Sequence, residues 1–131
     1  MKRLLILLLL IACSEKKTES LLSPTDFDLK LKATENAFVL DVRTEEEVST
    51  GFIEGATNIV YDANFADKVG SLEQKPIFVY CAAGGRSAKA ATILRDKGYT
   101  VFELQGGMNA WKDAGLPVVG QFGPQTGLPV K

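Results

Sequence analysis

The chain is short and close to electrically neutral. It has 131 residues, of which 46% are hydrophobic and 24% are charged, and its net charge is −1. This size predicts one domain with a buried core, and the absence of a basic block argues against nucleic acid as a partner. The chain contains no histidine. Catalysis by Ser-His-Asp or Cys-His groups and histidine-containing zinc sites are therefore excluded, and we expect no metal or other cofactor.

The first residues resemble a bacterial lipoprotein signal. Lys2 and Arg3 precede an apolar run over residues 4–10, and residues 10–13 read Leu-Ile-Ala-Cys, which is similar to a lipobox. The run is much shorter than the roughly 20 residues that span a bilayer. We expect cleavage before Cys13 and a lipid anchor on that cysteine, which would hold the protein at an extracytoplasmic membrane surface. An ordinary secretory peptide and an uncleaved N-terminal anchor are the alternatives.

This interpretation divides the chain into four parts. They are a signal peptide (residues 1–12), a lipidated cysteine with a polar tether (13–20), a folded domain (21–118) and a tail rich in glycine and proline (119–131). Ser14 resembles the signal that directs a lipoprotein to the outer membrane, if the host has two membranes. With Cys13 lipidated, Cys81 would be the only free thiol, and no internal disulfide could form.

Helix and strand patterns alternate along the folded part. Ser23 and Pro24 fit the N-cap and first position of a helix, and Thr44 with Glu47 fits a capping box. Further helices are predicted over residues 45–49, 63–72, 87–97 and 108–114. Strands are predicted over residues 38–42, 57–60, 77–80 and 100–104. The alternation predicts an α/β fold with a mostly parallel sheet and helices on both faces, in which ligands bind beyond the carboxyl ends of the strands.

Cys81 lies where a predicted strand meets a predicted helix. The strand is β-branched and aromatic, and the residues after Cys81 read Ala-Ala-Gly-Gly-Arg-Ser. Two glycines let successive N–H groups turn inward, and the first helical turn adds unpaired donors and the positive end of the helix dipole. Such donors, with Arg86 nearby, lower the pKa of a thiol. Cys81 is therefore a candidate nucleophile; an inert buried thiol is the alternative.

Four motifs follow one another along the domain. They are Asp-Val-Arg at residues 41–43, Gly-Phe-Ile-Glu-Gly-Ala-Thr-Asn-Ile at 51–59, Tyr-Cys-Ala-Ala-Gly-Gly-Arg-Ser at 80–87 and Gly-Gly-Met-Asn-Ala-Trp at 106–111. In this order and at these separations they resemble the signatures of a single-domain rhodanese, a sulfurtransferase. The resemblance covers residues 21–118 and implies the three-layer α/β sandwich of that family.

The resemblance also implies a reaction. Cys81 would take a sulfane sulfur from thiosulfate or a related donor, become a persulfide, and pass the sulfur to a thiol or to cyanide. Asp41 and Arg43 are expected to brace the loops, although either could touch substrate. The expected partners are small molecules, and the domain is expected to be a monomer. The residues implied to bind substrate are Ala82, Ala83, Gly84, Gly85 and Arg86.

Some positions depart from the family pattern. Phe52 stands where family members usually carry histidine, and we interpret it as a packing residue outside the active loop. Ala82 and Ala83 stand where members that prefer thiosulfate often carry an additional basic residue. Arg86 is then the only cation of the loop that could bind a dianion, through its guanidinium. The alternative is that Arg86 turns outward as a residue of the helix surface.

Two other functions fit parts of the pattern. Cysteine phosphatases and arsenate reductases also hold an oxyanion in a loop between a cysteine and an arginine, but that loop is longer than the four residues found here. A rhodanese-like domain that carries sulfur or binds a partner protein without turnover is the second alternative.

Overall fold

The computed structural model describes residues 20–120, which form one α/β domain. Its strands are β1 (Leu21–Leu22), β2 (Phe38–Asp41), β3 (Thr57–Asn58), β4 (Ile77–Tyr80) and β5 (Val101–Leu104). Its helices are α1 (Pro24–Ala33), α2 (Glu45–Ser49), α3 (Phe65–Lys68), α4 (Gly85–Asp96) and α5 (Gly107–Asp113). The strands pair in parallel in the order β1-β5-β4-β2-β3. The predicted fold class is therefore confirmed.

The central strand β4 supplies both halves of the core. Its four residues are fully buried, and successive side chains point to opposite faces of the sheet. Ile77 and Val79 pack with α3 and α4, and Cys81 continues that face. Phe78 and Tyr80 pack on the other face with Phe27 of α1 and Trp111 of α5, so Trp111 is a core residue. Burial on both faces explains why β4 reads as a continuous apolar run rather than an alternating one.

Local sequence signals place several helix starts correctly. The Ser23 side chain accepts a hydrogen bond from the N–H of Asp26 at the start of α1 (3.2 Å). At α2, the Thr44 side chain accepts from the N–H of Glu47, and the Glu47 carboxylate accepts from the N–H of Thr44. This is the predicted capping box, and α2 covers the predicted residues 45–49.

Three segments differ from the sequence prediction, the first being the strand predicted over residues 57–60, which is only β3. The helix predicted over residues 63–72 is only α3, because the hydroxyl of Tyr99 donates to the carbonyls of Val69 (3.2 Å) and Leu72 (2.8 Å) and fixes this segment in a non-helical path. The strand β1 was not predicted, since two residues carry no periodic signal. It lies at the sheet edge, where the N–H of Gln105 donates to the carbonyl of Leu22 (2.8 Å).

The described residues include the beginning of the predicted tail. Phe52 and Val119 form an antiparallel bridge with two backbone hydrogen bonds of 2.9 Å, so the ordered domain extends past residue 118. The predicted signal peptide, Cys13 and residues 121–131 lie outside the described residues. Among the helices of residues 20–120, none is long and apolar enough to span a membrane.

A buried hydroxyl connects β4 to the turn that precedes β3. The N–H of Ile53 donates to the hydroxyl of Tyr80 (3.1 Å), and both residues are buried. Burial and the neighbouring Asp41 carboxylate raise the pKa of Tyr80, so the hydroxyl stays protonated.

We predict that Tyr80→Phe lowers the free energy of unfolding by about 1–3 kcal/mol, because it leaves the N–H of Ile53 buried without a partner. Urea unfolding measures this difference. Tyr61→Phe is the matched control, since Tyr61 is only half-buried and its hydroxyl has no hydrogen-bond partner within residues 20–120. Equal stability of the two variants would contradict the role of the Tyr80 hydroxyl.

Candidate active site

The site lies at the carboxyl edge of the parallel sheet. Asp41 ends β2, Cys81 directly follows β4, and Gly106 and Gly107 follow β5. These three strands are neighbours, and Asp41 pairs with Tyr80 in the register of the sheet. The register therefore brings three of the four sequence motifs to one edge, where ligands bind in this class of fold.

The sulfur of Cys81 is held by hydrogen-bond donors at the start of α4. The N–H of Gly84 donates to Sγ (3.0 Å), and the hydroxyl of Ser87 lies 3.3 Å from it. Ser87 can also donate to the carbonyl of Gly84 (3.2 Å). When the thiol loses its proton, the Ser87 hydroxyl is free to turn its hydrogen toward sulfur, because a hydroxyl rotates to suit its partners.

These hydrogen-bond donors lower the pKa of the thiol. Burial raises the pKa of Cys81, whose exposed fraction is 1%, but hydrogen bonds from the Ser87 hydroxyl and from the N–H groups of Ser87, Gly84 and Ala83 outweigh it. The net effect is a pKa below the ordinary thiol value. The site therefore stabilises the thiolate, the nucleophilic form of cysteine, relative to that of an ordinary cysteine.

The N-terminus of α5 fixes the backbone of the loop. The carbonyl of Cys81 accepts from the N–H of Met108 (2.8 Å), and the carbonyl of Ala82 accepts from the N–H of Asn109 (3.0 Å). This contact requires glycine at position 107, where φ is +60° and a Cβ atom would collide with the backbone of Cys81 and Ala82. Sequence reasoning quoted this Gly-Gly pair as a motif but did not connect it to the cysteine loop.

Asp41 and Arg43 form a buried ion pair beside the loop. Their closest atoms, Oδ2 and Nη2, are 2.7 Å apart, and Nη2 also donates to the carbonyl of Gly51 (2.7 Å). Burial lowers the pKa of Arg43, but the hydrogen bond and the charge of Asp41 raise it by more. The net pKa is raised, so the guanidinium stays charged. Asn58 donates to the carbonyls of both residues (2.9 Å each). The pair ties β2 to α2 and β3, which fits the bracing role implied by the motif.

Arg86 points toward α2 rather than into the loop. Its guanidinium donates through Nη1 to Oε1 of Glu47 (2.6 Å) and through Nη2 to Oε2 (2.9 Å). The hydrogen bond from Arg86 lowers the pKa of Glu47 to about 2, so this ion pair persists through the physiological pH range. A direct contact of Arg86 with substrate stays a prediction. Sequence reasoning found Glu47 as a capping residue but not as the partner of Arg86, because the two are 39 positions apart.

The remaining loop residues differ in exposure. Ala83 and Gly85 are exposed, Ala82 and Gly84 are half-buried, and Gly85 is the first residue of α4. Gly84 has a φ of +106°, a conformation that favours glycine. An open cavity of about 320 Å³ borders the loop at Ala82. Other residues that line it include Glu47, Met108, Asn109 and Lys112.

The chain matches the family model of the rhodanese-like domain over residues 23–114. It belongs to the rhodanese-like family. In this rhodanese-like domain, the cysteine loop and the glycine pair that supports it lie within the matched region. Within residues 20–120, no group of acidic or cysteine side chains could hold a metal ion.

Relatives agree with the family assignment. The chloroplastic thiosulfate sulfurtransferase 16 of Arabidopsis thaliana is 41% identical over 91 residues, which cover 60% of this chain and 76% of the relative. A sulfurtransferase of Allochromatium vinosum is 32% identical over 95 residues, which cover 72% and 89%. The crystal structure of a rhodanese-related protein from Thermoplasma volcanium superimposes with a TM-score of 0.69 at 34% identity, over 76% of this chain and 96% of that one.

Ser87 is a site residue to which sequence reasoning gave no role. We predict that Ser87→Ala raises the pKa of Cys81, because the thiolate loses a hydrogen bond while burial is unchanged. The rate of alkylation by iodoacetamide as a function of pH reports this pKa. Thr92→Ala, which removes an exposed hydroxyl from the same helix, is the control. A rate profile that is the same in both variants would contradict a role for Ser87.

Proposed function

We propose that this domain is a sulfurtransferase that carries a sulfane sulfur as a persulfide on Cys81, with thiosulfate or a related compound as donor and a thiol or cyanide as acceptor. One observation carries the proposal. The Cys81 sulfur accepts from the N–H of Gly84 and lies beside the Ser87 hydroxyl, in a chain without histidine. Such a site supports a nucleophile that needs no general base. The names of the sulfurtransferase relatives support the same reaction class.

The first step loads the sulfur. The Cys81 thiolate attacks the outer sulfur of thiosulfate, and a bond forms between Sγ and that sulfur. The bond between the two sulfur atoms of thiosulfate breaks, and its electron pair leaves with sulfite. No proton moves if Cys81 enters the step as thiolate, so the donors around Sγ replace the base that other cysteine enzymes need.

The second step transfers the sulfur from Cys81 to the acceptor. A thiolate or cyanide ion attacks the outer sulfur of the persulfide, and the bond between that sulfur and Sγ breaks with its electron pair returning to Sγ. The enzyme thiolate is thereby restored. A persulfide carries its negative charge on the outer sulfur, and the N–H groups of the loop that donate to Sγ are oriented donors of the kind that stabilise such charge.

We predict that Cys81→Ser abolishes transfer of sulfur from thiosulfate to cyanide and leaves the free energy of unfolding nearly unchanged, because serine fits the same space but its hydroxyl does not hold a sulfane sulfur. Mass spectrometry of the wild-type protein after incubation with thiosulfate or polysulfide should show an added sulfur atom on Cys81. The variant should show none. Transfer that survives in Cys81→Ser would refute the proposal, and a stable persulfide that no acceptor removes would favour a sulfur carrier.

We also propose that the domain is anchored to an extracytoplasmic membrane surface through a lipid on Cys13. The support is the sequence of residues 2–14, in which a basic pair, a short apolar run and a lipobox-like tetrapeptide precede a polar tether. One acyl chain gives only marginal membrane binding, whereas two or three make it stable.

The wild-type protein should therefore sediment with membranes and be released by detergent but not by salt. Cys13→Ala should remain unprocessed or become soluble. Fractionation followed by mass spectrometry of the N-terminus makes both measurements. Soluble wild-type protein that still begins with Met1 would contradict the anchor.

A further inference from the structure

The cation nearest to the cysteine loop is neutralised by a carboxylate. Arg86 lies within the loop-to-helix junction, and both of its terminal nitrogens contact Glu47. The hydrogen bond to Glu47 is the main reason that the pKa of Arg86 is raised, so the guanidinium stays charged. At Arg86, a donor that approaches Cys81 therefore meets a neutral pair rather than a free cation.

Of the two other cations that line the cavity bordering the loop, Arg43 is compensated, whereas Lys112 is exposed and forms no ion pair within residues 20–120. Arg43 is 3% exposed and is bound by Asp41. Glu47, by contrast, is about one-third exposed and lines the cavity that borders the loop at Ala82. Glu47 thus shares a cavity with Ala82, the loop residue that follows Cys81, and its charge can act on a donor bound there.

We infer that Glu47 is a specificity-determining residue that makes the site select sulfur donors by charge, disfavouring the thiosulfate dianion relative to donors with one negative charge. The inference rests on the proposed sulfurtransferase function and adds the preferred substrate class. The Coulomb energy between Glu47 and a donor is proportional to the donor charge. The Glu47 carboxylate therefore penalises a dianion twice as much, in free energy, as a monoanion of the same shape.

Methanethiosulfonate is a matched probe for this effect. It carries the same outer sulfur as thiosulfate, but a methyl group replaces one charged oxygen, so its charge is that of a monoanion. In the loading step, Sγ bonds to the outer sulfur, the S–S bond breaks, and the electron pair leaves with methanesulfinate. The products differ from those of thiosulfate only in the leaving group.

The decisive experiment compares Glu47→Gln with the wild type for both donors. Glutamine retains the shape and the capping-box acceptor of Glu47 but removes its charge. We expect kcat/KM for thiosulfate to rise about tenfold and kcat/KM for methanethiosulfonate to rise about threefold, the square root of tenfold, because the energy scales with charge. If the rise in kcat/KM comes from a lower KM at an unchanged kcat, the charge of Glu47 acts on donor binding.

Glu45→Gln is the matched control. Glu45 is an exposed residue of the same helix turn and forms no ion pair within residues 20–120. Its substitution makes the same change in net charge, and we expect less than about a twofold effect on either donor, since an exposed charge away from the site is screened by solvent.

A second variant tests the inference in the opposite direction. Arg86→Ala leaves the Glu47 carboxylate without its partner, so kcat/KM should fall, and should fall more for thiosulfate than for methanethiosulfonate. Adding Glu47→Gln to Arg86→Ala should remove most of that difference between the donors. If Glu47→Gln folds poorly, Arg86→Ala alone still tests the inference, since an equal fall for both donors would overturn it.

The outcomes separate the two proposals. Equal changes for both donors, or equal effects of Glu47→Gln and Glu45→Gln, would overturn the specificity role of Glu47 while leaving the sulfurtransferase function intact. Failure of the wild-type protein to form a persulfide with either donor would instead refute the proposed function itself.

Discussion

The cysteine loop depends on where its carbonyl groups are bound. Two of them, from Cys81 and Ala82, accept hydrogen bonds from the first N–H groups of α5. Because a peptide group is planar, fixing a carbonyl on one side directs the neighbouring N–H to the other. The N–H of Ala83, one of the donors to the sulfur, shares its peptide group with the bound carbonyl of Ala82 and is thus oriented from outside the loop, and glycine at position 107 is the condition for this contact. The cysteine loop between β4 and α4 therefore depends on α5 for its backbone conformation.

Charge in the site is arranged in compensated pairs. Asp41 with Arg43 is buried and ties the sheet to α2, whereas Glu47 with Arg86 is partly exposed and lies over the loop. The two pairs differ in what they can do. A buried pair resists screening and holds backbone in place, while an exposed pair is weak as a structural element but acts on charged molecules that approach it. The groups that contact the sulfur itself are the hydroxyl of Ser87 and backbone N–H groups of the loop.

Signals that are local in sequence predicted most of the fold. The cap at Ser23, the box at Thr44 and the strand before Cys81 each depend on residues within one turn or one strand, and the structure has all three. What the sequence did not reveal depends on distant residues. The segment after α3 leaves the helix because of a hydroxyl on Tyr99, and Glu47 meets Arg86 only through the sheet register. No periodicity or propensity encodes such pairings.

The near-complete burial of Cys81 has a consequence for side reactions of the thiol. Its residue is only 1% exposed, so a bulky thiol or a second protein cannot easily approach Sγ. A sulfur atom added to Sγ would lie about 2 Å further out, the length of an S–S bond. An acceptor would thus have to reach the outer sulfur and not the buried Sγ. Geometry of this kind favours exchange at the outer sulfur and protects the enzyme from trapping as a mixed disulfide, which is formed by attack at the inner one.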